Sequence, residues 1–358
     1  MAAPLLTAYS ELSAIAQTAY AQLLESALSV EHSRTVADLP GSFATKAVKG
    51  RQYWYYQYTE PSGRLRQLYV GPDNEVVRQL VARKSSKPVS DALLPMVRSA
   101  LALGCAGLLP RHFQVVRRLA DYGFFHAGGV LIGTHAFLAY SNMLGVSWGT
   151  AARTQDIDFA PPGKSVSLLL SPDFDVHVHE AIESLGMGLL PVASLTTAAG
   201  ASYLNPREPD FRIDFLTVCH RGGDTPYEHP QLHITLQPLK FMEFSLENVQ
   251  QAALLSTAGV VIANVPHPAR FALHKLLVYG EREGSFVAKA NKDLAQAASL
   301  LAALKQHRAW EVEEAWADLA HRGKGWLQRA RQGLGALDRL APELKAGTWL
   351  DGKRKRKG

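Results

Sequence analysis

Asp156 and Asp158 stand two residues apart in the segment Thr154-Gln155-Asp156-Ile157-Asp158-Phe159. In a strand, the period of two turns both carboxylates to one face and Ile157 and Phe159 to the other. Carboxylates that close repel one another unless a cation lies between them, and hard oxygen ligands favour magnesium. Asp214, in Phe211-Arg212-Ile213-Asp214-Phe215-Leu216, supplies a third carboxylate, and its apolar neighbours predict the same orientation. Upstream, Gly128-Gly129-Val130-Leu131-Ile132-Gly133-Thr134-His135-Ala136-Phe137 reads as a strand ending in a Gly-Thr turn that opens a helix. Backbone N–H groups at such a turn hold a phosphate, and glycine lets the ligand approach the backbone closely. These residues point to a phosphate compound handled beside divalent metal.

Competing motifs fall away on physical grounds. Asp173-Phe174-Asp175 follows Ser171-Pro172 and precedes a helical pattern, so capping and the helix dipole explain it. Gly163-Lys164-Ser165 lacks the glycine that a phosphate loop needs five residues earlier, where Asp158 stands. Gly186-Met187-Gly188 has no third glycine and follows a helix, which excludes a dinucleotide fingerprint. His177 and His179 with Glu180 lack further ligands at zinc spacing and read as solvated helix histidines. No Gly-x-Ser-x-Gly elbow supports a serine hydrolase.

The elements that must position the aspartates follow from periodicity. Residues 4–29 carry apolar side chains at helical spacing. Residues 51–58 and 64–70 read as a β-hairpin about Pro61-Ser62-Gly63, followed by a helix at 74–84 and a linker at 85–88. Helices at 91–103 and 111–123 lead to a strand at 129–132, a helix at 134–144 and a strand at 156–160. A helix at 173–185 and a strand at 211–218 follow, and from about 268 the pattern is helical, broken at 280–284 and near Gly323. The expected domains are an N-terminal helix with a basic aromatic hairpin (1–90), an α/β core (91–265), a helical C-terminal domain (266–350) and a basic tail (351–358).

The 358 residues, 47% hydrophobic and 20% charged, describe a globular chain of two or three compact units. No apolar run reaches the roughly 18 residues that span a bilayer. Two cysteines, Cys105 and Cys219, build no disulfide framework and point to a reducing compartment. With no signal peptide read at the start, a cytoplasmic location is expected. The net charge of +6 is segregated. Lys353, Arg354, Lys355, Arg356 and Lys357 carry five of those charges, and residues 41–90 hold nine basic against three acidic side chains.

The Gly-Thr turn, the helix, the Asp-x-Asp strand and the later lone Asp resemble the nucleotidyltransferase fold of the DNA polymerase beta superfamily. The resemblance implies that Gly133 and Thr134 position a triphosphate. It also implies that Asp156, Asp158 and Asp214 bind two magnesium ions for in-line attack on the α-phosphate. The 22 residues from Thr134 to Asp156 leave room for a loop at 145–153. His274-Lys275-Leu276-Leu277-Val278-Tyr279-Gly280-Glu281-Arg282 is similar to the Lys-x6-Arg helix of abortive-infection type nucleotidyltransferase toxins, and Asn291-Lys292-Asp293-Leu294 to their next motif. That likeness implies nucleotide contacts from Lys275, Arg282, Lys292 and Asp293. Gln296 stands where the toxins carry a second aspartate, and Ala290 where they carry an arginine. On the residues alone, Lys275 reads equally as a lysine extending its head to solvent.

The hairpin admits two readings. Alternation puts Tyr53, Tyr55 and Gln57 on one face and Trp54, Tyr56 and Tyr58 on the other. Either one face packs on the protein while the other, with arginines nearby, stacks bases and holds phosphates, or both are buried between domains. Arg51, Trp54, Tyr56, Arg64 and Arg66 are the candidate nucleic-acid contacts, and the segment resembles the arm-type DNA-binding hairpins of phage integrases. The expected enzyme transfers a nucleoside monophosphate from an NTP to an RNA or tRNA 3′ end or to a protein hydroxyl, in a toxin or defence setting. The alternative is a degenerate transferase fold serving as a nucleic-acid-binding module.

Overall fold

The computed structural model describes residues 9–32, 41–59, 65–85, 92–148, 156–161, 176–192, 201–219, 225–230, 232–281 and 287–352. The motifs at 163–165 and 173–175, the turn at 61–63 and residues 353–358 of the basic tail lie outside them. The described chain begins with β1 (Ser10–Glu11), which pairs with β6 (Val146–Ser147), and α1 (Ala14–His32). The helix starts later than its apolar spacing predicts, because the Ser13 hydroxyl accepts the Ala16 amide at 3.2 Å and caps the first turn. Ala16, Tyr20, Leu23 and Ala27 form its buried stripe.

The predicted hairpin is a three-stranded antiparallel sheet, β2 (Ser42–Val48), β3 (Arg51–Thr59) and β4 (Leu65–Pro72), followed by α2 (Glu75–Ser85). The additional strand β2 joins β3 through a two-residue turn, Lys49-Gly50, with φ of 49° and 76°. Positive φ at both central positions matches the twist of the flanking strands.

The core comprises α3 (Leu94–Ala102), α4 (Pro110–Asp121), β5 (Val130–Ile132), α5 (Gly133–Leu144), β7 (Asp156–Ala160), α6 (Val178–Glu183), β8 (Leu190–Pro191), β9 (Ser202–Asn205) and β10 (Glu208–Val218). It continues through β11 (Tyr227–His229), β12 (Ile234–Leu239), α7 (Met242–Leu246) and the hairpin β13 (Val249–Ser256) to β14 (Gly259–Pro266). The central sheet runs β11-β12-β10-β7-β5, with β8 and β9 joined to the near half of β10. β7 and β10 are parallel, and β5 is antiparallel to β7. This is a mixed α/β fold.

α8 (Pro268–Glu281), α9 (Val287–His307), α10 (Ala309–His321), α11 (Lys324–Leu340) and α12 (Ala346–Leu350) complete the chain. α8 and α11 meet backbone to backbone: a Cβ at Gly333 would overlap the Leu276 carbonyl.

Alternation splits the sheet. Leu131, Ile157, Phe159, Ile213 and Phe215 enter the main core, where Phe159 stacks on Phe215 at 5.5 Å between ring centres and Phe124 meets both edge-on. Their neighbours in sequence are thereby forced onto the opposite face. Phe215→Ala should cost about 3–5 kcal/mol through the cavity it leaves, and Phe215→Leu much less. Urea denaturation of the two variants measures the difference.

Candidate active site

The parallel register sets Asp158 opposite Asp214 and Asp156 opposite Arg212. On its other side Asp158 pairs with Ile132, the last residue of β5. All three aspartates therefore share the face that the phenylalanines leave. Burial, then the neighbouring Asp214 charge, pushes the Asp158 carboxyl up to about 6, against the pull of Lys289 and Lys275. Burial and Asp214 also raise Asp156. Crowded like charges and partial desolvation are the environment expected of carboxylates that await a cation.

The Gly-Thr turn closes over this pair. Ile132 is extended, Gly133 adopts φ +64°, and α5 begins there without a side-chain cap. The first-turn amides of α5 thus remain for a ligand. The Asp158 carboxylate lies against Gly133 so closely that any Cβ there would overlap it. Thr134 is buried, and its hydroxyl accepts a hydrogen bond from Gln296 Nε2 at 3.2 Å. Gln296, noted in the sequence only as a departure, proves to be the side chain that fixes the turn from α9.

α8 and α9 bring cations to the carboxylates. Lys275 Nζ pairs with Asp293 Oδ1 at 2.5 Å, both side chains nearly buried, and lies 5.0 Å from the Phe271 ring centre. The reading of Lys275 as a solvent-directed head is thereby corrected. Burial and the Lys275 charge lower the Lys292 pKa, while Asp156, Asp158 and Asp293 draw it upward. Lys289, missed in the sequence, faces the same carboxylates electrostatically from the start of α9. Arg282 lies outside the described residues.

Asp214 is held by the Ser202 hydroxyl and by Arg212 Nη2 at 3.2 Å; Ser202 Oγ in turn accepts from Arg212 at 3.1 Å. Arg212 was legible in principle, two residues before Asp214 on the same strand face. Ser202 was not, since it comes from the pairing of β9. Among the described residues no three His, Cys, Asp or Glu side chains already converge on one ion point. The donors are nonetheless three hard carboxylates on one face of neighbouring strands, a set whose chemistry suits a divalent cation. Behind the strand, His135 Nε2 and His112 Nδ1 share a hydrogen bond of 2.9 Å, and burial holds both rings neutral, near 3 and 4.

The hairpin residues part ways. Tyr56 is 1% exposed, with Phe43 edge-on at 5.3 Å, and the Trp54 indole donates to Asp73 at 3.0 Å. The buried Tyr56 ring is not placed to stack a base, which corrects that expected contact, whereas Trp54 is half-buried. Both sit on the face turned to α2. Arg51 is exposed on the opposite face; Arg64 and the Arg66 side chain lie outside the described residues.

The family described as Nucleotidyltransferase matches residues 111–321, more than half of the chain. The chain belongs to this family. The matched span contains the Gly133-Thr134 turn, the three aspartates and the lysines of α8 and α9, and leaves out the three-stranded arm. No curated protein and no solved structure matches. The nucleotidyltransferase is an enzyme that takes an NTP and transfers its nucleoside monophosphate. No helix among its described residues is long and apolar enough to cross a membrane.

Two outcomes follow for the nucleotidyltransferase. Gly133→Ala displaces the Asp158 carboxylate and should lower kcat at least a hundredfold in a labelled-NTP transfer assay. Asp158 binds a proton in the folded state up to about pH 6, above the ordinary carboxylate value of about 3.9, so its contribution to stability falls as pH rises through that window. In EDTA, Asp158→Asn should therefore unfold at a higher temperature than wild type. The gap should widen from pH 4 to 6 and level off at about 3 kcal/mol. Scanning calorimetry across that range reads it.

Proposed function

We propose that Asp156, Asp158 and Asp214 hold two magnesium ions and that the enzyme transfers a nucleoside monophosphate to a hydroxyl on an RNA or tRNA 3′ end or on a protein. The observation that carries the reading is the position of Asp158, packed on Gly133 and in register with Asp214. It joins a phosphate-binding turn to a carboxylate pair at one point. A toxin or defence role in the cytoplasm rests on the likeness of the Lys275 and Lys292-Asp293 segments to the abortive-infection enzymes.

The bound ions would polarise the α-phosphate and offset charge on the attacking and leaving oxygens. The α5 amides and Gly133 would seat the triphosphate against the helix N-terminus. Lys275 and Lys292 would neutralise the charge that builds on the leaving pyrophosphate. The acceptor oxygen forms a bond to the α-phosphorus as the bond to the β-phosphate bridging oxygen breaks. The proton of the acceptor hydroxyl passes to Asp214 or to water. Arg212, released from Asp214, is placed to receive a phosphate oxygen of the acceptor or donor.

A second reading has one observation in its favour. Asp214 is tied to Arg212, and Gln296 occupies the place of an aspartate, as in a fold kept for binding alone. Incubation with each α-³²P-labelled NTP, magnesium, total tRNA and cell lysate separates the two. Transfer of label by wild type, lost by at least a hundredfold in Asp156→Ala and Asp158→Ala, is the expected result. Equal labelling by wild type and variants would overturn the metal assignment, and nucleic-acid binding without turnover would favour the second reading.

A further inference from the structure

The arm sheet has two unlike faces. Its inner face carries Phe43, Trp54 and Tyr56 and is partly covered by α2, where Val77 and Tyr56 are buried and Lys84 lies over the Tyr56 ring. The sheet's principal neighbours are its own strands and that helix. The outer face is set by the register: Lys46 opposite Tyr53, Ala44 opposite Tyr55 and Tyr69, Ser42 opposite Gln57 and Gln67, Val48 opposite Arg51. It is as aromatic as the inner one yet is left in water. Tyr69 is 58% exposed, and Tyr53 and Tyr55 are half-buried beside it. Among the described residues, Tyr69 is not covered as burial of both faces between domains would require.

The outer face has a distinct chemistry. The Tyr69 ring lies 6.1 Å from Tyr53 and 5.6 Å from Tyr55, at interplanar angles of 48° and 67°. Tyr55 meets Tyr69 edge-on and Tyr53 meets it at a tilt, so neither pair stacks face to face. Lys46 Nζ lies 4.8 Å from the Tyr55 ring centre and bonds Gln67. Arg51 and Lys49 stand at the adjoining turn. None of the residues paired on this face is acidic. The acidic Asp73 is engaged elsewhere, by Arg78 and the Trp54 indole.

We infer that the outer face of the arm, Tyr53, Tyr55 and Tyr69 with Lys46 and Arg51, binds single-stranded RNA. Aromatic rings on a sheet surface stack unpaired bases, and a surrounding cationic rim holds the phosphates. Lys46 and Arg51 on this face and Lys49 at its turn, with no acidic residue paired beside them, supply the charge complementarity. A duplex keeps its bases stacked inside and offers such rings nothing to cover. Tyrosine hydroxyls and the Gln57 and Gln67 amides provide partners for the ribose 2′-hydroxyl, the group that distinguishes RNA from DNA. The inference deepens the transfer reading by naming RNA as the acceptor class and rests on that reading for this link alone. Binding by the arm requires no turnover.

Fluorescence anisotropy of the full-length protein tests it, with a labelled RNA strand of about 15 nucleotides, the same strand as DNA, and the RNA duplex. Wild type should bind the RNA strand at least tenfold more tightly than the duplex and more tightly than the DNA strand. The Tyr55→Ala/Tyr69→Ala double variant should lose at least tenfold in affinity for the RNA strand. Tyr69→Phe, which keeps the ring, should lose far less. Lys46→Ala should flatten the salt dependence by about 0.7 in log–log slope. Failure of wild type to bind, equal or tighter binding of duplex or DNA strand, or indifference to the tyrosine substitutions would overturn the inference. Asp158→Asn run alongside should bind the RNA strand as wild type does. Strand binding by the wild type without any transfer counts against the transfer reading, and transfer by the wild type without strand binding counts against this one.

Discussion

The chain spends much of its architecture on holding like charges together. Asp158 and Asp214 face each other across neighbouring parallel strands, with Asp156 one pleat away. Burial and the Asp214 charge make the Asp158 and Asp156 carboxyls reluctant to ionise. A one-residue slip of either strand would send its carboxylates to the phenylalanine core and its phenylalanines to water. The stacked Phe159 and Phe215, flanked by Phe124, oppose that slip. The hydrophobic core on one face therefore specifies the charge cluster on the other.

The remaining parts of the site depend on that cluster. Gly133 has no Cβ because the Asp158 carboxylate fills the space. Gln296 reaches from α9 to pin Thr134, and the same helix brings Lys289 and Lys292 to the aspartates. α8 supplies Lys275, locked by Asp293, and is itself held in place where Gly333 of α11 lets the two backbones meet. The positive wall of the site is thus set by helix packing far from the sheet, and the negative wall by strand register.

Much of this was legible in the sequence, and the boundary has physical causes. The strand at 156–160 and the Gly-Thr turn carry strong local signals, period-two alternation and a glycine at a strand end. β9 and the β13–β14 hairpin were missed because short or evenly apolar strands lack alternation. β2 was missed although Lys49-Gly50 marks its turn. Ser202 could not have been found, since its role depends on a non-local pairing. The hairpin's two faces were correctly sorted by alternation, but alternation cannot say which face meets protein. Tyr56, expected among the nucleic-acid contacts, is buried on the α2 side, which only the three-dimensional packing decides.

On the function proposed above, the three aspartates form one divalent-cation site linked to the Gly133-Thr134 turn. Titration with Mn²⁺, followed by loss of the free-ion electron paramagnetic resonance signal, tests it most directly. Wild type should take up Mn²⁺, and more tightly with NTP present. Asp158→Asn should weaken uptake at least tenfold under both conditions, while Asp73→Asn, a carboxylate in the arm, should not. Unchanged Mn²⁺ uptake by Asp158→Asn would contradict the account.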